Sequence, residues 1–233
     1  MISTQGKYFS MIKINYNVLM GMLVLGLILP TYVKAQESNL GNWLMYIGSK
    51  KINSKWNIHN EIQYRNYNSI GDLEQLLLRT GLGYNFKPNK NNVLLGYGYI
   101  LSQNYIVNAE EKESINEHRI FQQFTSKQKV SIAQLNHRYR FEQRFIESDF
   151  KMRFRYFLSI NIPFSKEENN NLYFSAYNEI FLNSESKIFD RNRLYGGIGY
   201  KINKGMRFEL GYMNQFFETT NQDQFNIVSL LNF

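Results

Sequence analysis

Arginine recurs at every second position in several stretches of this sequence, usually with a glutamate nearby. In one of them Arg138, Arg140, Glu142 and Arg144 are separated by single residues, most of them aromatic. A guanidinium group is a rigid fork of N–H donors that matches the oxygens of a carboxylate or a phosphate. Such arginines would pair with the glutamates in a structural network. Alternatively, a pair that lacks a carboxylate, such as Arg138 and Arg140, would hold an anionic solute.

A β-strand is the element that would place these residues on one face. From Lys151 to Ile162, apolar residues alternate with Arg153, Arg155 and Ser159, and Phe157 is the one large apolar residue on the polar side. Successive side chains of a strand point to opposite faces of the sheet. The stretch is therefore predicted to be a strand with one apolar and one charged face, and the pattern recurs along the chain.

Most of the segments with this pattern reach the length of about 9–11 residues that a tilted strand needs to cross a bilayer. They are Trp43–Ser49, Lys55–Tyr67, Gln75–Phe86, Val93–Ser102, Glu117–Thr125, Val130–Phe145, Lys151–Ile162, Leu172–Asn183, Arg191–Ile202, Met206–Phe216 and Gln224–Phe233. Bacterial outer-membrane barrels normally have an even number of strands. We therefore expect ten or twelve: either Trp43–Ser49 is not a barrel strand, or a further strand lies in a loop such as Gln103–Asn116.

The fold class predicted from this pattern is all-β, a transmembrane antiparallel up-and-down β-barrel of about 10–12 strands. The composition agrees, because 17 Tyr and 18 Phe suit the two bilayer interfaces and only 3 prolines suit a closed sheet. The formal net charge of +8, from 27 basic and 19 acidic residues, is modest and includes no long block of like charge. These features do not indicate a nucleic-acid-binding protein.

The charged residues on the inward face of the predicted strands form the candidate site, a polar network in the lumen. Its members are Glu61, Arg65, Arg79, Glu117, Arg119, Arg138, Arg140, Glu142, Arg144, Arg153, Arg155, Glu179, Arg193, Arg207 and Glu209. Inside a narrow barrel these charges must pair, because an isolated buried charge is very costly. The simpler interpretation is a structural ion-pair network that fills the lumen. The more specific alternative is a binding site for an anionic solute.

The N-terminus has the pattern of a cleaved signal peptide. Lys7 and Lys13 precede the apolar run Val18–Leu29, which is short for a membrane-spanning helix. In Val33-Lys34-Ala35, small residues occupy the two positions that a signal peptidase recognises. We predict that residues 1–35 are removed and that residues 36–233 form a single barrel domain. The chain has no cysteine, which excludes disulfides, a thiolate metal site and a lipid-modified N-terminus.

Signals for catalysis or for a cofactor are weak. The three histidines are His59, His118 and His137, and Ser131 and Ser159 are candidate nucleophiles only by residue type. Neither a G-x-S-x-G elbow nor an H-E-x-x-H zinc motif occurs. We expect no cofactor and no metal site, and the balance is against an enzyme.

The C-terminal segment indicates two partners. Phe225, Ile227, Leu231 and Phe233 alternate up to the last residue, as in the terminal strand that the barrel assembly machinery reads. Shorter and longer connections alternate along the chain, which would put Phe233 on the periplasmic side. The expected partners are therefore outer-membrane lipid and the assembly machinery, and the expected location is the outer membrane.

Several short motifs also occur in a recognisable order. They are Glu61-x-Gln63-x-Arg65, Leu77–Gly81, Glu117–Arg119, His137-Arg138-x-Arg140-x-Glu142-x-Arg144, Asn178-Glu179, Asn192-Arg193 and Glu209-x-Gly211-Tyr212, with Trp43 before them. In this order the sequence resembles the domain-of-unknown-function 2490 family of exported bacterial proteins. The resemblance covers nearly the whole mature chain. It implies an outer-membrane β-barrel without an assigned activity and adds no catalytic residue.

The function expected from the sequence is that of a non-enzymatic outer-membrane barrel. Its role would be structural, or it would pass small solutes, with anions favoured by the arginine-rich inner face. Two alternatives stay open, a lipid-modifying enzyme of the outer membrane and a soluble periplasmic barrel that binds an apolar ligand.

Overall fold

The computed structural model describes residues 40–69, 71–87, 90–107, 109–167 and 170–233. The predicted signal peptide, residues 1–35, lies outside these ranges. The described residues form the strands β1 Leu40–Lys51, β2 Trp56–Asn66, β3 Leu73–Lys87, β4 Asn91–Tyr105, β5 Lys112–Val130, β6 Ala133–Ile146, β7 Asp149–Pro163, β8 Leu172–Asn183, β9 Phe189–Lys201, β10 Met206–Phe216 and β11 Asn221–Asn232. Among these residues no helix has the length and apolar character to cross a bilayer.

The eleven described strands close into one barrel, each beside its neighbour in sequence. All of these neighbours are antiparallel, but β1 and β11 pair in parallel, from Leu40 opposite Asp223 to Ser49 opposite Asn232. The all-β barrel prediction is confirmed, whereas the expected even number of strands is wrong. In an up-and-down barrel with an odd number of strands, the first and last strands run in the same direction, and a parallel ladder closes the sheet.

The barrel has two ends, which we call rims. The N-terminal rim, where β1 begins, carries the turns 67–72, 106–111, 147–148, 184–188 and 217–220. The C-terminal rim, where β11 ends, carries the turns 52–55, 88–90, 131–132, 164–171 and 202–205. The longest connection lies at the C-terminal rim, so the expected contrast between short and long turns is wrong. The predicted loop Gln103–Asn116 is also wrong, because β4 extends to Tyr105 and β5 begins at Lys112.

Side chains alternate between the lumen and the outer surface around the whole sheet. Leu77, Ile100 and Phe121 point inward and have no exposed surface, whereas Leu194 and Leu210 point outward and are 54% and 52% exposed. A strand with one buried face shows this two-residue period, and the register carries it from strand to strand. The outward residues form a broad apolar surface, and the polar residues are concentrated inside.

Inward-facing glycines make room for large side chains in the lumen. On β9, the ring of Tyr173 lies against Gly199, where a side chain would overlap it. The ring cannot easily move away from Gly199, because Tyr173 is buried and its hydroxyl donates a hydrogen bond of 2.7 Å to Glu209. Gly196, three residues away on the outer face of the same strand, has open space beside it.

We expect Gly199→Ala to lower the free energy of unfolding by about 1–3 kcal/mol, because the added methyl group overpacks the lumen. The matched variant Gly196→Ala should stay within about 0.5 kcal/mol of the parent, as for most surface substitutions. Urea unfolding of the purified protein in detergent measures both. Equal losses in the two variants would contradict this assignment of inner and outer faces.

Candidate functional site

The structure places all fifteen candidate residues on the inner face of the barrel. Arg138, Arg144 and Arg207 are partly exposed to the lumen. The other members are buried: Glu61, Arg65, Arg79, Glu117, Arg119, Arg140, Glu142, Arg153, Arg155, Glu179, Arg193 and Glu209. They are therefore concentrated in the interior, but they do not form a single cluster.

The middle of the lumen is crossed by a central belt of ion pairs, made by Glu61, Glu142 and Glu179 with the arginines that contact them. Glu142 accepts hydrogen bonds from Arg153 and Arg155, both at 2.7 Å, and has no exposed surface. Arg155 also donates to Glu179 at 2.6 Å. Glu142 and Glu179 are thus each shared by more than one arginine, which offsets the cost of burying several charges in one place.

Further pairs extend the belt and reach toward the N-terminal rim. Arg79 donates to Glu61 at 2.8 Å. Glu117 accepts bidentate hydrogen bonds from two arginines. The N···O distances are 2.5 and 2.8 Å for Arg119 and 2.5 and 3.0 Å for Arg144. Such paired hydrogen bonds fix the direction of both guanidinium groups.

Arg138 and Arg140 are not the unpaired pair suggested by the sequence. Arg138 donates to Glu179 at 2.8 Å. Arg140 donates to the side-chain oxygen of Gln123 at 2.9 and 2.6 Å, and lies 3.8 Å from Glu142. The partner of Arg138 is on β8, two strands away from β6, so spacing along one strand could not reveal it.

Arg65 is held instead by neutral groups. Its guanidinium donates to the side-chain oxygen of Gln63, at 3.0 Å, and to that of Gln75, at 2.6 Å. It also lies 3.7 Å from the centroid of the Trp43 ring. Among the described residues no carboxylate lies within 4 Å of Arg65. Arg65 therefore carries a buried charge without a direct counter-ion.

A cavity of about 220 Å³ lies between the belt and the N-terminal rim, and we call it the N-terminal cavity. Its charged lining consists of Arg65, Arg79, Arg119, Arg144, Arg153, Arg155, Arg191 and Arg193, with Glu74 and Glu117. Trp43, Phe181, Gln75 and Gln215 complete the wall around Arg65 and Arg193. All of these arginines except Arg65 have a described carboxylate within 4 Å, so the uncompensated positive charge of the cavity lies at Arg65.

Several of these lining residues were missed by sequence reasoning. Trp43 was not among the predicted site residues, yet the centroid of its ring lies 3.7 Å from the guanidinium of Arg65 and 4.8 Å from that of Arg193. Glu74 and Gln75 are adjacent in sequence, yet both face the cavity. The alternation is interrupted there because the pairing of β2 with β3 shifts register between Arg65 and Asn66. A register shift is not visible in a pattern of alternating residues.

A polar contact at the N-terminal rim fastens the turn 67–72 to the start of β5. Asp72 accepts hydrogen bonds from Lys112 and, at 2.8 Å, from the hydroxyl of Tyr105. Desolvation would raise the pKa of Asp72, but these hydrogen bonds outweigh it and hold the pKa below its ordinary value. Asp72 therefore stays ionised at neutral pH, and the ammonium of Lys112 also contacts the rings of Tyr67 and Tyr105.

The histidines and serines do not assemble a catalytic group among the described residues. His59 faces inward, and its Nε2 lies 3.4 Å from a carboxylate oxygen of Glu61. His118 and His137 lie on the outer face, where they contact Tyr97 at 2.6 Å and Tyr156 at 2.9 Å. Neither Ser131 nor Ser159 is hydrogen bonded to a histidine within the described ranges. No group of acidic or histidine side chains in these ranges could hold a metal ion.

Comparison with known proteins identifies one family and one distant structural likeness. A family model described as "Protein of unknown function (DUF2490)" matches residues 40–226. No curated protein matches the chain. Among solved structures, LpxR from Salmonella typhimurium is similar over 76% of this chain and 83% of its own, with 12% identity and a TM-score of 0.40.

Removing the carboxylate at the centre of the belt should destabilise the barrel strongly. Glu142→Gln leaves Arg153 and Arg155 short of a buried counter-charge, and we expect a loss of about 3–5 kcal/mol in the free energy of unfolding. The matched control is Glu185→Gln, which breaks an exposed pair with Lys151, at 3.2 Å, and should cost no more than about 1 kcal/mol. Urea unfolding in detergent compares them. A loss at Glu142 no larger than at Glu185 would mean that the belt does not hold the lumen together.

Proposed function

This chain belongs to the DUF2490 family of proteins of unknown function, and we propose that it is an outer-membrane β-barrel that binds a small anion in its N-terminal cavity. The observation that carries the proposal is Arg65, a buried guanidinium whose contacts are neutral. The proposal has two parts, a location in the membrane and a ligand in the lumen, and each is tested separately.

The membrane location is supported by the reversal of polarity between the two faces of the sheet. Large apolar side chains such as Leu95, Leu194 and Leu210 are more than half exposed on the outside. Monomeric soluble proteins rarely expose continuous apolar surfaces of this extent. Aromatic pairs lie near both ends of the strands, Trp56 with Tyr84 and Phe145 with Phe150, as expected for rings at bilayer interfaces.

The anion site is supported by the chemistry around Arg65. A hydrogen bond to a neutral amide is weaker than one to a charged oxygen, so a carboxylate or phosphate would improve on the contacts with Gln63 and Gln75. Arg193 lines the same cavity, donates to Gln215 at 2.8 Å, and lies 3.8 Å from its only close carboxylate among the described residues, Glu179. Arg65, which has no described carboxylate within 4 Å, and Arg193, which has Glu179 at 3.8 Å, thus face one space that Glu74 also lines.

The belt favours binding over free diffusion through the barrel. Arg140 and Glu142 are 1% and 0% exposed, so side chains fill the middle of the lumen. A solute that entered from the N-terminal rim would meet Arg79 and Arg155, both held by carboxylates. The N-terminal cavity is therefore a closed-ended site, and the ligand would leave by the rim through which it entered.

The anion site can be tested with inorganic phosphate, using the fluorescence of Trp43. The chain has 2 tryptophans, so the variant Trp56→Phe leaves Trp43 as the only reporter. Phosphate should change its emission with saturation, and Arg65→Gln in the same background should raise the dissociation constant about tenfold, the loss of one charge-assisted contact.

The matched control for this titration is Lys187→Gln, which removes one positive charge from an exposed position at the same rim. It should leave phosphate binding unchanged. If both variants weakened phosphate binding equally, the effect of Arg65→Gln would be one of general electrostatic attraction and not of a specific contact. If the parent protein gave no saturable fluorescence change, the anion site would be refuted.

The membrane location can be tested at two neighbouring positions of β7. Leu158 faces outward beside His137 on β6, whereas Ser159 lines the lumen. If lipid covers the outer face, Leu158→Arg should cost about 2–4 kcal/mol in assembly near the bilayer midplane. Ser159→Arg should be tolerated better. Folding into lipid vesicles, followed by the heat-dependent shift in electrophoretic mobility, measures both, and equal losses would argue against lipid at the outer face.

A further inference from the structure

Two connected spaces lie on the other side of the belt, toward the C-terminal rim. An inner cavity of about 220 Å³ adjoins the belt, and a vestibule of about 610 Å³ leads from it to the rim. Both are lined by Asn136, Ser159, Asn161 and Arg207, which mark the place where they meet. The space is thus large enough for an elongated small molecule.

One wall of the inner cavity is apolar because of the way in which the barrel closes. Met45 pairs with Val228, and Ile47 pairs with Leu230, across the parallel ladder between β1 and β11. All four side chains line the inner cavity, and Phe157 faces the same space. These four side chains (Met45, Ile47, Val228 and Leu230) form an apolar patch in the wall of the inner cavity, on the side of the lumen away from Arg138 and Glu179 of the belt.

The vestibule is cationic. Lys90, Lys127, Lys129 and Arg207 line it, and its described lining includes no aspartate or glutamate. None of these four residues forms an ion pair with a described carboxylate. The buried Nε of Arg207 has no hydrogen-bond partner among the described residues.

The register places this charge directly beside the apolar patch. Arg207 on β10 is opposite Leu230 on β11, and Glu209, the nearest acid on its own strand, is opposite Val228. The carboxylate of Glu209 is occupied by the hydroxyls of Tyr173, at 2.7 Å, and Ser175, at 3.0 Å. Arg207 therefore offers an unused donor at the junction of an apolar space and a cationic one.

We propose that this region is a second binding site, which takes a small amphipathic anion with a carboxylate head and a short apolar chain. The carboxylate accepts hydrogen bonds from Arg207 and is attracted by Lys127, and the chain lies against the apolar patch. Burial of the chain and a charge-assisted contact at the head act together in this geometry. The site lies across the belt from the N-terminal cavity, so either site can be absent without affecting the argument for the other.

Binding to the unaltered protein is the first test, with octanoate as the probe. Equilibrium dialysis of the detergent-solubilised barrel against radiolabelled octanoate, with protein-free micelles as the blank, should show saturable binding. Acetate, which has only the head, and octanol, which has only the chain, should each bind at least about tenfold more weakly, because each lacks one of the two interactions. Equal retention of octanol would exclude recognition of the charge, and equal retention of acetate would exclude the apolar patch. The absence of saturable octanoate binding would overturn the proposal.

A pair of variants then locates the site. Arg207→Gln should weaken octanoate binding about tenfold, the loss of one charge-assisted hydrogen bond. Lys204→Gln removes a charge from an exposed turn at the same rim and should leave binding unchanged. Both variants are compared only after the heat-dependent shift in electrophoretic mobility shows that they are folded. Undiminished binding in Arg207→Gln, or equal weakening in both, would overturn the proposal.

Discussion

The constraint on which this structure depends is the neutralisation of arginine inside a closed β-barrel. A buried charge costs several kcal/mol unless a counter-charge and hydrogen bonds replace the lost water. In the lumen this cost is offset because single carboxylates accept hydrogen bonds from more than one arginine. Glu142 accepts from Arg153 and Arg155, and Glu117 accepts from two further arginines. Among the described residues, Arg65 and Arg207 are the two arginines with no carboxylate within 4 Å. They lie on opposite sides of the belt, and the two proposed ligand sites are built around them.

The two strands that close the barrel give the lumen a neutral wall. The inward residues of β1 and β11 include Trp43, Met45, Val228 and Leu230, and none of those that line the cavities is charged. Of the belt acids, Glu142 and Glu179 lie on β6 and β8 and Glu61 lies on β2, beside β1, and most of the arginines come from β5 to β9. Space remains where the neutral wall faces the ion pairs, because uncharged side chains cannot extend the network across the lumen.

Much of this arrangement follows from the sequence, and the remainder depends on contacts between distant strands. Alternation in segments such as Lys151–Ile162 was enough to predict the strands and their faces, because a two-residue period has only two phases. The same alternation gave eleven segments, as the described part of the structure has, and the expected even number came from the general rule for bacterial barrels, which the parallel pairing of β1 with β11 does not follow. Ion-pair partners were also hidden, because Arg138 reaches Glu179 across β7. Which arginines stay without a carboxylate is therefore a property of the folded lumen, not of any one strand.

The same belt explains why the cavities suit binding better than passage. Arg79, Arg155 and Arg193 line both the N-terminal cavity and the inner cavity, so the wall between them is made of the guanidinium groups themselves. To open a path, these groups would have to leave Glu61 and Glu179, and breaking a buried pair costs about 3–5 kcal/mol for each partner removed. Occupying either cavity requires no such separation, because Arg65 and Arg207 hold no carboxylate to begin with. The belt therefore separates the two cavities in which we propose binding sites, one toward each rim.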